Sequence, residues 1–153
     1  MKYLISACLA NIPVRYDGKA YHYEKIAQLI QTHQAITICP EVSGGLNTPR
    51  LAAEIIGGTA QDVLNRTAKV TDSQGNDVTA AFLDGAFKAL EIAQKHQVST
   101  VVLKENSPSC GTNFIYDGSF SGTKVVGLGI TACLLKQHGF HVISEDDFLK
   151  SLD

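Results

Sequence analysis

The sequence predicts an α/β domain with a mainly parallel sheet. Short apolar runs at Lys2–Ala7, Ala35–Ile38, Val98–Lys104 and Phe140–Ile143 have strand length. Segments of helical spacing separate them, the pattern of strands joined by crossover helices. Three of the four cysteines stand where such a run gives way to a loop: Cys8 after KYLISA, Cys39 after AITI and Cys110 after STVVLKENSPS. In a parallel sheet the carboxyl ends of the strands converge on the ligand crevice. Right-handed crossovers place those three loops on one edge.

The elements follow in order. Lys2–Ala7 reads as the buried first strand, and Pro13 and Gly18 break the loop after it. Tyr23–His33 is a helix with Ile26, Leu29 and Ile30 on one face. Ala35–Ile38 is the second strand. It opens into CPEVSGGLNTPR, whose Pro and Gly content argues against any regular element. Between Leu51 and Asn65 the pattern is ambiguous and allows a strand at Ala53–Ile56, a turn at Gly57–Gly58 and a short turn or helix after it. Ala68–Thr71 reads as an edge strand. Asp77 is placed to cap a long helix, Val78–His96, with Val78, Phe82, Ala86, Leu90 and Ala93 facing the core. Val98–Lys104 is the central strand. The loop ENSPSCGTNFIYDGSFSGTK holds at most a short hairpin, and loops of this length within a domain are usually functional. Gly127–His138 is a helix left through Gly139. Phe140–Ile143 is the last strand, and Ser144 caps a final helix with Glu145, Asp146 and Asp147 in its first turn.

A chain of 153 residues is expected to form one domain, residues 1–153, with enough length for a real core. The formal net charge of -2 argues against a broad nucleic-acid surface. No stretch is long and apolar enough to span a membrane, and the N-terminal run lacks the layout of a signal peptide. A cytoplasmic protein is therefore expected, in which cysteines serve as thiols or ligands rather than disulfides.

The cysteines are the strongest chemical signal. Cys8, Cys39 and Cys110 lie in polar or Gly/Pro-rich surroundings, whereas Cys133 lies mid-helix in ITACLLKQ and reads as a small core hydrophobe. A free cysteine alone is most often simply buried. Three at strand ends point to a shared metal or cluster site. The contiguous motifs of zinc ribbons and ferredoxins are absent, so spacing does not name the metal. In SPSCG, Ser107 and Ser109 offer hydroxyls beside Cys110, and successive N–H groups there can cradle an anion; an ordinary surface turn has the same composition. Glu41, two residues after Cys39, suits general acid or base work, although a lone loop carboxylate is usually just solvated. Gly44 and Gly45 permit close backbone approach to a ligand but do not form a dinucleotide fingerprint. Arg50, Arg15 and Lys104 offer cations for a carboxylate or phosphate, and Tyr16 and Asp17 complete a group suited to a polar ring. The plainer readings are a loop cap for Arg50, a turn at Asp17-Gly18 and a snorkelling stem for Lys104. None of the five histidines is spaced for a metal motif; only His22 stands as a conceivable partner to a cysteine.

SACLANIPVRYDG, CPEVSGGLNTPR, KENSPSCG, IYDGSFSG and GLGITACLL together resemble, in order and spacing, the small bacterial desulfidases called TudS, or thiouracil desulfidases. The resemblance covers nearly the whole chain. It implies a Rossmann-like three-layer domain holding a [4Fe–4S] cluster on Cys8, Cys39 and Cys110, with the fourth iron unligated by protein. It implies removal of sulfur, as sulfide, from a thiolated uracil such as 2-thiouracil or 4-thiouridine monophosphate. Glu41 then falls on the acid/base carboxylate, and Ser107 and Ser109 fall in the substrate-contacting loop. An open iron is a soft Lewis acid suited to a thiocarbonyl sulfur, and Glu41 would orient or deprotonate the attacking water. Arg15, Lys104 or Arg50 would hold a phosphate. Where the family often carries PRPPAE, this chain has PRLAAE, so Leu51 and Ala52 alter that loop. The absence of a further C-terminal domain and the balanced charge favour a free base, nucleoside or nucleotide over intact nucleic acid. Two other readings stay open: a metal-free hydrolase or transferase with Cys110 as nucleophile, and a cluster-based nucleotide-binding sensor.

Overall fold

The structure, a computed structural model, describes residues 2–152. Strand β1 (Tyr3–Ser6) runs into a 3-10 turn at Ala7–Ala10, and helix α1 (Glu24–Gln31) leads to β2 (Ala35–Ile38). One turn of helix, α2 (Pro40–Ser43), follows at once. Then come β3 (Ala53–Ile56), α3 (Ala60–Leu64), β4 (Lys69–Asp72) and the long helix α4 (Thr79–Lys95). The chain closes with β5 (Thr100–Leu103), the hairpin of β6 (Phe114–Tyr116) and β7 (Lys124–Val126), α5 (Ile130–Gln137), β8 (His141–Ser144) and α6 (Glu145–Ser151).

Four of these strands form a parallel sheet in the order β2-β1-β5-β8. Leu4 stands opposite Ile36 on one side and Val101 on the other. Leu4, Ile5, Val101, Val102 and Leu103 are fully buried, which explains why these segments read as continuous apolar runs. Alternation along the strands sorts them into two layers of core. Leu4, Val101 and Leu103 pack with Phe82, Ala86 and Leu90 of α4 and with Ile130 and Leu135 of α5. Ile5 and Val102 pack on the other face with Ile26 of α1 and Phe148 of α6. The result is the expected three-layer α/β fold. No helix among the described residues is long and apolar enough to cross a membrane.

The chain leaves β1 toward β2 on one side and returns to β5 on the other. The strand order therefore reverses between β1 and β5, the place where such folds bind ligands. Outside the main sheet, β3 pairs antiparallel with β4 and β6 with β7.

Three expectations need correction. CPEVSGG is not irregular: Pro40 at the first helical position presets its own φ, and α2 forms behind it. Its Gly44 approaches a helix rather than a ligand. A Cβ on Gly44 would stand 1.9 Å from the carbonyl oxygen of Ala81, and one on Gly85 would stand 1.8 Å from that of Pro40. Gly44 and Gly85 thus let α2 lie directly on α4. The start of α4 also moves by one residue. Val78 occupies the cap position, while the Asp77 Oδ1 accepts from the Thr79 N–H at 2.9 Å. Ser144 does cap α6, accepting from the Asp147 N–H at 3.2 Å.

Candidate active site: a cavity lined by thiols

A cavity of about 570 Å³ opens at the carboxyl end of the sheet, and Cys8, Cys39 and Cys110 all line it. Each comes from a different strand. Cys8 sits in the 3-10 turn after β1, Cys39 caps α2 after β2, and Cys110 lies in the loop after β5. Those three strands are neighbours, so the sheet itself gathers the thiols. None of the three is in a disulfide.

Burial sets their protonation. It pushes Cys8 up to about 12, with the charge of Cys39 adding to the effect and Arg15 and Lys104 opposing it. Burial likewise raises Cys39 and Cys110, and each is raised further by nearby negative groups, Glu41 among them. Without a cation the three would stay neutral thiols; a metal centre favours the thiolate forms. No three His, Cys, Asp or Glu side chains among the described residues stand close enough to hold a single metal ion. The donor set, three soft thiols on the wall of a roomy cavity, suits a larger, multi-iron body. Cys133 is elsewhere, buried in α5 beside Gln61 and Gln137.

Glu41 and Ser107 form the second part of the site. Glu41 lies in the first turn of α2, where its charge suits the helix N-terminus. Its Oε1 accepts from Arg50 Nε at 3.1 Å, and its Oε2 accepts from the Ser107 hydroxyl at 3.2 Å. Ser107 Oγ in turn accepts from the N–H groups of Ser109 and Cys110, each at 3.0 Å. Those two bonds fix the hydroxyl so that its proton points at Glu41. One short chain of hydrogen bonds thus joins the Cys110 backbone to the Glu41 carboxylate.

The other expected residues divide. Arg15, Arg50 and Lys104 line the cavity, but each already holds a carboxylate: Asp17 at 3.3 Å, Glu41 at 3.1 Å and Glu145 at 2.9 Å. Arg50 is the most committed, because Nη1 also donates to the Val14 and Asn47 carbonyls and to Thr48 Oγ1. Arg15 donates to the Tyr21 hydroxyl and lies over the Tyr21 ring, as does Lys104. Burial alone would lower Lys104, yet the hydrogen bond and charge of Glu145 raise it. Asp17 stays outside the cavity and orients Arg15. Gly44 and Gly45 are also outside it: Gly44 packs on α4, and Gly45 makes the turn after α2 with a φ of 103°. Ser109 is nearly fully buried behind the wall; its hydroxyl bonds Thr131 Oγ1 at 2.8 Å and lies beside the Cys110 sulfur. His22 is away from the cavity, paired with Glu24.

Sequence reading missed Tyr21, Glu54 and Glu105, which also line the cavity. Glu105 organises the Cys110 loop. Its carboxylate accepts from the N–H groups of Thr112, Asn113 and Phe114 at 2.7, 3.0 and 3.1 Å, and from the side chains of Thr112 and Asn113. Burial pushes it up, but these donors outweigh burial and bring it down to about 2. Glu54 carried a signal that could have found it: an acidic residue within the apolar strand AEII.

Fold and site together define an α/β protein with a three-thiol cavity at its topological switch point, flanked by a fixed carboxylate–hydroxyl pair. A model of the family described as 2-thiouracil desulfurase matches residues 3–147, and the chain belongs to that family. It is 53% identical over 144 residues to the uncharacterized protein YbbK of Bacillus subtilis (strain 168), covering 94% of this chain and 95% of that one. Among solved structures it is similar to the [4Fe-4S]-dependent thiouracil desulfidase TudS, with a TM-score of 0.86 and 40% identity over 97% of this chain and 93% of that one.

Proposed function

We propose that this protein is a [4Fe–4S]-dependent desulfidase acting on a thiolated uracil base, nucleoside or nucleotide. The observation that carries the reading is the meeting of Cys8, Cys39 and Cys110 in one cavity with Glu41 and Ser107. Family membership and the similarity to TudS support it. Cys8, Cys39 and Cys110 would hold the cluster, in a cytoplasmic setting where thiols stay reduced.

The reaction balances as a hydrolysis: C=S plus water gives C=O plus hydrogen sulfide, with no net electron transfer. When bound, the cluster supplies a soft Lewis-acidic position that polarises a thiocarbonyl. The chain's residues do the rest. Glu41 Oε2 takes a proton from the attacking water, while Arg50 keeps the carboxylate aimed from its other oxygen. Ser107 holds Oε2 in place between turnovers. Tyr21 and Tyr116 give the cavity flat faces for a pyrimidine ring. A substrate phosphate has two candidate partners, Arg15 and Lys104, whose side chains keep 21% and 22% of their exposure; Arg50, at 9%, is spent on Glu41.

Cys110 as a metal-free nucleophile fits less well. A reactive cysteine needs exposure and a lowered thiol pKa, whereas Cys110 is 5% exposed and raised by burial. The deciding experiment is turnover of 2-thiouracil and 4-thiouridine monophosphate by protein loaded with iron and sulfide without oxygen. Oxo-base and sulfide should appear in equal amounts. A loaded protein that binds these compounds without releasing sulfide would instead be a cluster-based sensor.

A further inference from the structure

A buried acidic side chain within an apolar strand must find partners or pay a large desolvation cost. Glu54 is in β3, is 7% exposed and lines the cavity. Neither the thiols nor the Glu41–Ser107 pair uses it. Its two oxygens are unequal. Oε1 accepts from the N–H groups of Gly118 at 2.9 Å and Phe120 at 3.3 Å, and so holds the turn between β6 and β7. That turn lies hard against β3: a Cβ on Gly118 would stand 2.7 Å from the Ile55 carbonyl oxygen. Oε2 has no hydrogen-bond partner among the described residues. No fully buried side-chain nitrogen or oxygen there lacks a partner, so Oε2 is open, and the space that Glu54 lines is the cavity. One oxygen is clamped by two donors; the other is an idle acceptor on a rigid strand.

We infer that Glu54 is a substrate-recognition residue whose Oε2 accepts a hydrogen bond from a ring N–H of the substrate. The inference rests on the desulfidase reading and narrows its substrate class to cyclic thioamides with an N–H beside the C=S bond. Glu54 grips the N–H edge of the ring while the sulfur faces the thiols. A ring methylated at that nitrogen would leave a buried carboxylate oxygen unpaired, which is a strong basis for rejection.

Glu54→Gln separates recognition from architecture. The amide oxygen can still accept from Gly118 and Phe120, but an NH2 donor then stands where Oε2 was. Glu54→Ala removes both functions. Wild type and both variants, loaded without oxygen, would be compared for iron content, for hydrogen exchange at the Gly118 and Phe120 amides, and for kinetics with 2-thiouracil and its two N-methyl derivatives. Glu54→Gln should keep wild-type iron and exchange protection, with kcat within a few-fold. Its KM should rise about ten- to a hundredfold, the effect of losing one hydrogen bond to a charged group. The wild type should reject at least one N-methyl derivative by a similar factor, and Glu54→Gln should lose that discrimination. A wild-type KM and unchanged discrimination in Glu54→Gln, with exchange protection lost only in Glu54→Ala, would show that Glu54 merely holds the hairpin and would overturn the inference. An iron-loaded wild type with no turnover would overturn the desulfidase reading instead, and this inference with it.

Discussion

The two sides of the cavity are built differently. The thiol side hangs from a four-stranded parallel sheet whose central side chains are fully buried between two helical layers. The opposite wall consists of two-stranded ribbons, and every residue of β7 is exposed. The sheet holds its loops by packing. Single carboxylates fasten what the sheet does not: Glu54 holds the β6–β7 turn, and Glu105 holds the entry to β6 and with it the Cys110 loop. We propose a division of work: Cys8 and Cys39, set directly at strand ends, form the firmest part of the site, while the Cys110 loop and the ribbon wall depend on a few carboxylate bonds. Short elements with few apolar contacts are also where proteins open locally.

The largest expected effect is at the junction of the two sides. Glu41→Gln should lower kcat by about 10²–10⁴-fold, the usual contribution of a general acid or base. Iron content should stay at the wild-type level, because Cys8, Cys39 and Cys110 are untouched. Loss of iron together with activity would make Glu41 a structural residue.

The next probes the rigid side. Gly85→Ala drives a Cβ into the Pro40 carbonyl oxygen and so pushes away the helical turn that Cys39 caps. It should cost about 1–3 kcal/mol, typical of overpacking, and should lower iron loading as well. Denaturant midpoints and iron content on the same sample test both. Normal loading would mean that α2 is free to move, against the proposed division.

A smaller effect is expected on the ribbon side, with a pH signature. Glu105 has a folded-state pKa near 2, below the ordinary carboxyl value of 4.5. A lowered folded pKa stabilises the protein above the unfolded value and loses that contribution as pH falls through the folded one. Glu105→Gln should therefore cost about 1–2 kcal/mol near neutral pH, after allowance for solvent screening. The gap from wild type should close between pH 4.5 and about 2. Urea unfolding at several pH values would show it; a constant gap would assign the role to shape alone. The smallest effect is at Cys133→Ala, which should change stability by about 1 kcal/mol or less and leave iron content unchanged. A drop in iron would bring Cys133 into the site.

Much of the rigid side was legible in the sequence. Short, β-branched apolar runs such as TVVL suit strands covered on both faces, and right-handed crossovers bring their carboxyl ends to one edge, so Cys8, Cys39 and Cys110 could be placed together from sequence. The ribbon side was not. Its contacts are carboxylate to backbone N–H across 64 residues for Glu54 and Gly118, and no periodicity encodes such a bond. Ser109 illustrates the same limit. Sequence places it beside Cys110, but only three-dimensional packing shows its hydroxyl turned toward Thr131 and away from the cavity. Gly44 misled because a glycine permits close approach without saying to what, and Gly45 is needed for a backbone turn, with a φ of 103°.

Three thiols from one sheet edge are proposed to hold a cluster. Iron and acid-labile sulfide, with the visible spectrum, should be measured on protein reconstituted without oxygen, alongside Cys8→Ser, Cys39→Ser and Cys110→Ser. The wild type should hold about four irons per chain, the content of one [4Fe–4S] cluster, and each variant should show a large loss. No bound iron in the wild type, with Cys8 and Cys39 freely reactive toward thiol reagents, would contradict it.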